Sequence, residues 1–325
     1  MVESLLLRLE NFRQNFTGAL LELDKEVLPF SETSVLILNI AVGFLMFSVA
    51  LDIKWEQFKH VFKAPKAATV GLICQFVLLP LFAFLFMWIA GTWVTAGVAF
   101  GVILIASCPG GNASNFINSL ANGNTALAVT LSAIGTMMAI VMTPFNFKFY
   151  GDLYEKHSAY NVTLVIDAIE ITKLVLILLG VPIVIGILVA YYYPNFVAKI
   201  KKPIKIVSLI IFTAIVVINF ASNYDIFIRY IKLMFFIVLL LNSGALLFSY
   251  WLSRASKLSI KDSRTLSIET GVQNSALALA LIYGGKVFPE GMATGALGYI
   301  AAWFAVWQML AGTALAFYWR KKPAQ

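Results

Sequence analysis

SCPGGNASN at residues 107–115 and SIETGVQNS at residues 267–275 each interrupt a long apolar run, and how such stretches can exist there decides the fold. Pro109 has no amide hydrogen, and Gly110 and Gly111 admit dihedrals that other residues resist. A helix entering at about Val94 is therefore expected to stop at this point and restart near Asn112. In the second stretch Glu269, Thr270, Gly271, Gln273, Asn274 and Ser275 lie inside a run that is otherwise apolar. Unwound backbone at membrane depth persists only where it is enclosed by protein or lines a wet cavity, because hydrocarbon offers it no hydrogen bonds.

The surrounding sequence is that of a lipid-embedded chain. Of 325 residues, 60% are hydrophobic and 12% charged, and the mean hydropathy is +0.86. This lies well outside soluble globular composition, and backbone in lipid must bond internally, so an all-α polytopic membrane protein is expected. Apolar runs between charged or turn-rich breaks predict nine spans, at about 34–53, 67–91, 94–121, 123–147, 171–193, 203–222, 230–251, 263–284 and 291–319. Most of the 24 Lys and Arg residues occupy the short connections between spans. That placement fits positive-inside topology and gives no basis for nucleic-acid binding. Lys54, Lys59, Lys63, Lys66, Lys199, Lys201, Lys202, Lys205, Arg254, Lys257, Lys261, Arg264 and Arg320–Lys322 share one side, which predicts the N-terminus outside and the C-terminus cytoplasmic. Residues 1–30 repeat apolar positions at helical spacing (Leu5, Leu6, Leu9, Phe12, Phe16, Leu20, Leu23) between charges, which predicts an interfacial amphipathic helix. The rest, 31–325, is read as one transmembrane domain. His60 and His157 fall in connections, and Cys74 and Cys108 in apolar segments, so no metal cluster, catalytic triad or disulfide framework is indicated and the chain is read as no enzyme.

Two interrupted spans, five apart, carry the functional signal. Matching spans two to four with spans seven to nine gives an odd offset, so the two halves are inverted. Paired interruptions in inverted halves point to the midplane site of a secondary transporter. Glu269 is the one acidic residue well inside a span, and burying an unpaired carboxylate costs roughly 2.5 kcal/mol or more. With no basic residue in a span core, its counter-charge is expected to be a bound cation or a proton. Neighbouring Asn, Ser and Gln side chains and free carbonyls are hard oxygen ligands, which suit Na⁺ rather than a soft metal.

At these residues the chain resembles the bile acid:sodium symporter family, whose bacterial members take up organic anions together with sodium. The likeness spans most of 34–319 and is carried by GVILIASCPGGNASN (101–115), LANGNTALAVTLSAIGT (120–136), CQFVLLP (74–80) and LSIETGVQNSALALAL (266–281). It implies an inverted-repeat core with two crossed broken helices (about 67–147 and 230–319) against a panel domain (about 34–53 and 171–222), the amphipathic leader standing in place of the family's first span. It implies two sodium sites, one from Ser114, Asn115, Ser132 and Glu269, the other from Gln75, Glu269 and Gln273 with carbonyls of Thr270 and Val272. Ala128 replaces a serine ligand of the family, which is expected to weaken the first site. Asn112 and Asn274 are implied to face substrate. Gln308, where one bacterial type has histidine, is expected to alter the substrate contacts.

Two Na⁺ against one carboxylate leave about one positive charge, which a monoanion near helix N-termini offsets. The expected function is a sodium-coupled symporter importing a small organic anion across the inner membrane of a bacterium, with no obligate protein partner. The rival is a sodium-independent efflux permease for a metalloid or organic anion, using Cys108 as thiolate. Without a cationic neighbour to activate it, Cys108 reads as a small buried filler.

Overall fold

The computed structural model describes residues 2–26, 32–51, 65–111, 113–157, 167–222, 224–284, 287–288 and 294–322. Asn112, expected at the restart of the first broken helix and against substrate, falls outside them, as do Lys54, Lys59 and Lys63. The described residues are helical and contain no strand, apart from one isolated antiparallel bridge between Gly110 and Gln273.

In chain order the helices are α1 (Val2–Lys25), α2 (Glu32–Ala50), α3 (Pro65–Trp93), α4 (Ala96–Ser107), α5 (Ala113–Leu120) and α6 (Thr125–His157). They continue with α7 (Ala168–Tyr192), α8 (Pro194–Ser222), α9 (Tyr224–Ala255), α10 (Ile260–Gly271), α11 (Ser275–Tyr283) and α12 (Gly295–Arg320). Five of them, α3, α6, α7, α9 from Phe227 on and α12, are long and apolar enough to cross a membrane. The segments Val35–Ala50 in α2 and α4 itself are apolar but shorter. The expected third and eighth spans are the ones divided in two, as α4–α5 and α10–α11.

Both divisions arise locally. Past Ser107 the chain becomes extended at Cys108 (φ −73°, ψ 157°), since Pro109 cannot donate to a helical ladder. Past Gly271 it is extended at Val272 (φ −111°, ψ 100°), and α11 restarts under the Asn274 carboxamide, which accepts from Leu277 N at 3.1 Å. A β-branched residue followed by an N-capping asparagine favours this change of conformation.

Prolines shape two other helices. In α3 a π turn at Cys74–Leu78 precedes Pro80, and in α7 a π turn at Leu176–Gly180 precedes Pro182. Pro80 removes the donor that Phe76 O would have received from a regular helix. Asn146 of α6 replaces it, donating Nδ2 to that carbonyl at 2.9 Å. The same π turn carries Gln75, and π turns often mark functional positions.

Burial separates two kinds of helix. All of α4 is buried, as is α11 from Ser275 to Ile282. These short helices are apolar on every side because protein surrounds them on every side. In α7 and α8, by contrast, Ile177, Val184, Leu188, Ile210 and Ile218 point outward. Helix α1 divides along its length. Leu20 and Leu23 are fully buried, whereas Leu6, Leu9 and Phe12 are exposed. Among the described side chains, the apolar face expected from helical spacing is thus buried most deeply in the second half of the helix. Arg13 Nη1 donates to Thr92 Oγ1 at 2.8 Å, and Asp24 lies against Gly97 at the start of α4.

Candidate ion and substrate site at the helix crossing

The two breaks meet at a crossing. Gly111 N donates to Val272 O at 2.7 Å, and Asn274 N donates to Pro109 O at 2.8 Å. The two extended breaks therefore satisfy each other as a two-bond antiparallel bridge, which supplies in a dry interior what water would otherwise supply. Glycine is required for that approach. A Cβ on Gly111 would lie 2.7 Å from Gln273 O, and one on Gly110 would lie 3.2 Å from Glu269 Oε2.

Other freed groups are satisfied from neighbouring helices and, at Thr270, from the break itself. Thr143 Oγ1 donates to Ser107 O at 2.8 Å, and Gln75 Nε2 donates to Cys108 O at 2.9 Å. On the second break, Asn242 Nδ2 donates to Gly271 O at 2.7 Å, and Gln273 Nε2 donates to Thr270 O at 2.6 Å. Thr143, Asn146 and Asn242 were not among the expected site residues. Their signal in the sequence is a polar side chain within a mostly apolar run.

Glu269 lies at the end of α10, 5% exposed. Ser114 Oγ, in the first turn of α5, donates to Oε1 at 2.7 Å, and Ser132 Oγ of α6 donates to Oε2 at 3.0 Å. Asn115 Nδ2 donates to Ser132 Oγ at 3.0 Å. All four residues expected in the first sodium site therefore meet, from three helices. The carboxylate receives only neutral donors, since no ion pair involving it occurs among the described residues. Asn115 Oδ1 is buried and has no hydrogen-bond partner among the described residues. An acceptor left over beside a carboxylate and two hydroxyls is the donor set of a hard monovalent cation. Ala128, one turn before Ser132 on α6, is fully buried and adds no oxygen.

The second expected set also converges. Gln75 Nε2 donates to Gln273 Oε1 at 2.8 Å, and Gln273 Nε2 donates back to Gln75 Oε1 at 3.2 Å. A small cleft beside this pair is lined by Gly71, Gln75, Gly110, Leu131, Gly135 and Glu269. Of the two expected backbone ligands, Thr270 O accepts from Gln273 Nε2, and Val272 O accepts from Gly111 N.

Of the expected substrate residues, Asn274 is buried, capping α11 and lying 3.8 Å from Met46 Sδ of α2. Gln308 is 5% exposed and is bound to the second break rather than presented to an opening. Arg264, counted in the sequence with the cytoplasmic charges, is buried in the second turn of α10. Its guanidinium donates to Ala121 O at 3.1 Å and to Lys322 O at 2.9 Å, over the Trp319 ring. It spends its donors on helix C-terminal carbonyls, where positive charge is favourable.

Buried broken helices that satisfy one another around a carboxylate define a multi-pass membrane transporter of the crossed-helix kind. The model of the sodium bile acid symporter family matches residues 39–230. A sodium-dependent transporter of Bacillus subtilis, YocS, itself uncharacterised, is 32% identical over 88% of this chain and 83% of its own length. The probable chloroplastic sodium/metabolite cotransporter BASS2 of Oryza sativa is 30% identical over 87% of this chain. The sodium-dependent organic anion transporter of Rattus norvegicus is 29% identical over 75%. This chain spans 64% of the rice protein's length and 63% of the rat protein's. The chain belongs to the sodium bile acid symporter family, a family of transporters and not of enzymes.

Proposed function

We propose that the protein is a sodium-coupled symporter that imports a small organic anion by alternating access. The observation that carries this reading is Glu269, buried with no basic partner among the described residues, bonded by Ser114 and Ser132, with Asn115 joined through Ser132 and its Oδ1 left without a partner among those residues. Sodium is cargo here. One ion would be held by Ser114, Asn115, Ser132 and Glu269, and a second by Gln75, Gln273 and Glu269 with backbone oxygens of the second break. Two such ions exceed the single carboxylate by one positive charge, which favours a monoanion as companion. The names of the relatives, sodium-dependent and in one case organic-anion transporting, agree with this chemistry. Inward movement of one net charge would draw roughly 2.3 kcal/mol from each 100 mV of membrane potential.

The path lies between core and panel helices. At the end of the molecule that holds α1, α2 packs along α11, and Asn39 Nδ2 donates to Gly284 O at 3.1 Å. At mid-depth Met46 covers Asn274. Helices α5 and α10, towards the opposite end, pack against the core helices α3, α6, α9 and α12. With the N-terminus outside, this arrangement is closed outward, and release of anion and sodium would be to the cytoplasm of a bacterial cell. The α1 docking through Leu20, Leu23 and Asp24 attaches the leader to the core side of that boundary.

The test is thermal stability of the purified protein in NaCl and KCl at equal ionic strength, with and without a set of carboxylate and sulfonate anions. Sodium should raise the melting temperature, one anion should raise it further only in sodium, and Glu269→Gln should abolish both effects, because coupling is reciprocal. Equal melting in the two salts, or an unchanged sodium effect in Glu269→Gln, refutes the reading. The Cys108 efflux alternative predicts loss with Cys108→Ala instead. Cys108 meets the expected ion ligands through its backbone carbonyl, which accepts from Gln75 Nε2 at 2.9 Å.

A further inference from the structure

We propose that Gln308 is a positioning residue for the second sodium site, acting as a one-residue surrogate strand for the broken helix, and does not read the substrate. This rests on the sodium reading above and assigns a role to a residue outside the ion-ligand sets. Its basis is the hydrogen bonding of Gln273. The chain is extended at Val272 and turns at Asn274, and the backbone groups between them face two edges. One edge is taken by the bridge to Pro109 and Gly111. On the other edge Gln308 Oε1 of α12 accepts from Gln273 N at 2.7 Å, and Gln308 Nε2 donates to Gln273 O at 3.0 Å. The same Nε2 reaches Ser275 Oγ at 3.1 Å. A carboxamide has the donor and acceptor of a peptide group side by side, so it can fill both places of a strand neighbour at once.

The consequence for the ion follows from what the Gln273 side chain does. Its Oε1 accepts from Gln75, while its Nε2 donates to Gln75 Oε1 and to Thr270 O. Each of the two carboxamide oxygens intended for an ion therefore accepts from the other residue's amide nitrogen, beside Glu269. Loading the site must part that pair and turn both oxygens towards the cation. Each amide nitrogen keeps a carbonyl acceptor after the parting, Cys108 O for Gln75 and Thr270 O for Gln273. The turn leaves the site ordered only if the Gln273 backbone stays fixed during it. Gln308 supplies that fixation from a helix that belongs to neither break.

The experiment titrates NaCl into KCl at constant ionic strength, with no organic anion present, and follows the melting temperature of wild type, Gln308→Leu, Gln308→Glu and Gln308→His. Gln308→Leu loses both bonds, Gln308→Glu keeps the acceptor but sets an oxygen against Gln273 O, and histidine can serve one group at a time. Loss of groups that orient metal ligands weakens metal binding by about tenfold to a hundredfold. We expect the sodium concentration at half effect to rise about tenfold or more in Gln308→Leu and by about threefold or more in the other two. If that concentration is unchanged in the variants that fold, while melting in KCl alone drops, Gln308 is a structural filler and the proposal fails. A residue that contacts only the anion would also leave this titration unmoved. If wild type itself shows no sodium effect, the sodium reading fails first, and the two failures are told apart.

Discussion

The two breaks solve one physical problem by opposite means. The first, at Cys108–Gly111, has almost no side-chain chemistry of its own. Its carbonyls borrow donors from Thr143 and Gln75, and its glycines supply closeness. The second, at Val272–Asn274, also borrows from Asn242 and Gln308 but adds carboxamides of its own, Gln273 bonding Thr270 O and Asn274 capping α11. Two breaks built like the second would not fit together, because a side chain at Gly111 would occupy the place of the Gln273 carbonyl. Two built like the first would cross closely and have nothing with which to hold an ion. One break provides space and the other chemistry, so equivalent substitutions should have unequal effects on the two sides.

Gly111→Ala should have the largest effect. The added carbon must displace main chain rather than a side-chain tip, and overpacking of this kind costs about 1–3 kcal/mol or more. Transport in proteoliposomes should fall to background. Gly43→Ala in α2, whose added carbon would be 3.7 Å from Pro182 Cγ, should transport normally. A Gly111→Ala protein with wild-type sodium response would show that close approach is not what the first break provides.

Next in size is the loss of a borrowed donor. Asn242→Leu should leave Gly271 O unsatisfied, and Thr143→Val should do the same to Ser107 O, at about 1–3 kcal/mol each by the cost of an orphaned buried group. Chemical or thermal unfolding in detergent measures both. The asymmetry predicts that only Asn242→Leu, on the break that bears the ion ligands, also raises the half-saturating sodium concentration.

Ala128→Ser should act in the opposite direction. A hydroxyl one turn before Ser132 adds an oxygen to the first site, and a single such contact, at about 0.5–1.5 kcal/mol, should tighten sodium about three- to tenfold. Isothermal titration with NaCl would check it. Unchanged affinity would mean that position 128 does not face the ion.

The smallest effect concerns the docking of α1. Asp24 lies against Thr95 and Gly97, and burial pushes its carboxyl up to about 6, with those two neighbours opposing the rise. The folded state then holds this proton more tightly than the unfolded chain does. Stability from this group is thus present below the ordinary value of 3.8 and is lost as pH rises through about 6. Melting temperature should decline more from pH 5 to pH 7.5 in wild type than in Asp24→Asn, while sodium affinity stays the same in both.

Much of the site was legible because local chemistry announced it. Pro109, Gly110 and Gly111 cannot continue a helix in any context, and a lone Glu269 in an apolar run needs a partner wherever the chain takes it. The resemblance grouped Ser114, Asn115, Ser132 and Glu269, and these side chains come together in space. The bonds of Gln308 to the second break were not legible, because a single polar residue in a long helix has no local signature of what lies opposite, and its partner is 35 residues away. Thr143 and Asn242 were passed over for the same reason. The periodicity of α1 gave a helix with one apolar face, but periodicity does not say where along its length that face meets protein and where it meets the surroundings.

By itself the sequence determined that the chain is helical and membrane-embedded, where two of its helices break, and that a carboxylate is stranded between them. These follow from composition, from missing donors and from the cost of buried charge, none of which depends on distant residues. Tertiary structure alone decided which carbonyl each freed amide found, that Gln75 and Gln273 occupy each other's oxygens, and that Gln308 closes the far edge of the second break. Those choices depend on the relative height and rotation of packed helices, which van der Waals fit between neighbours sets and helical spacing leaves open.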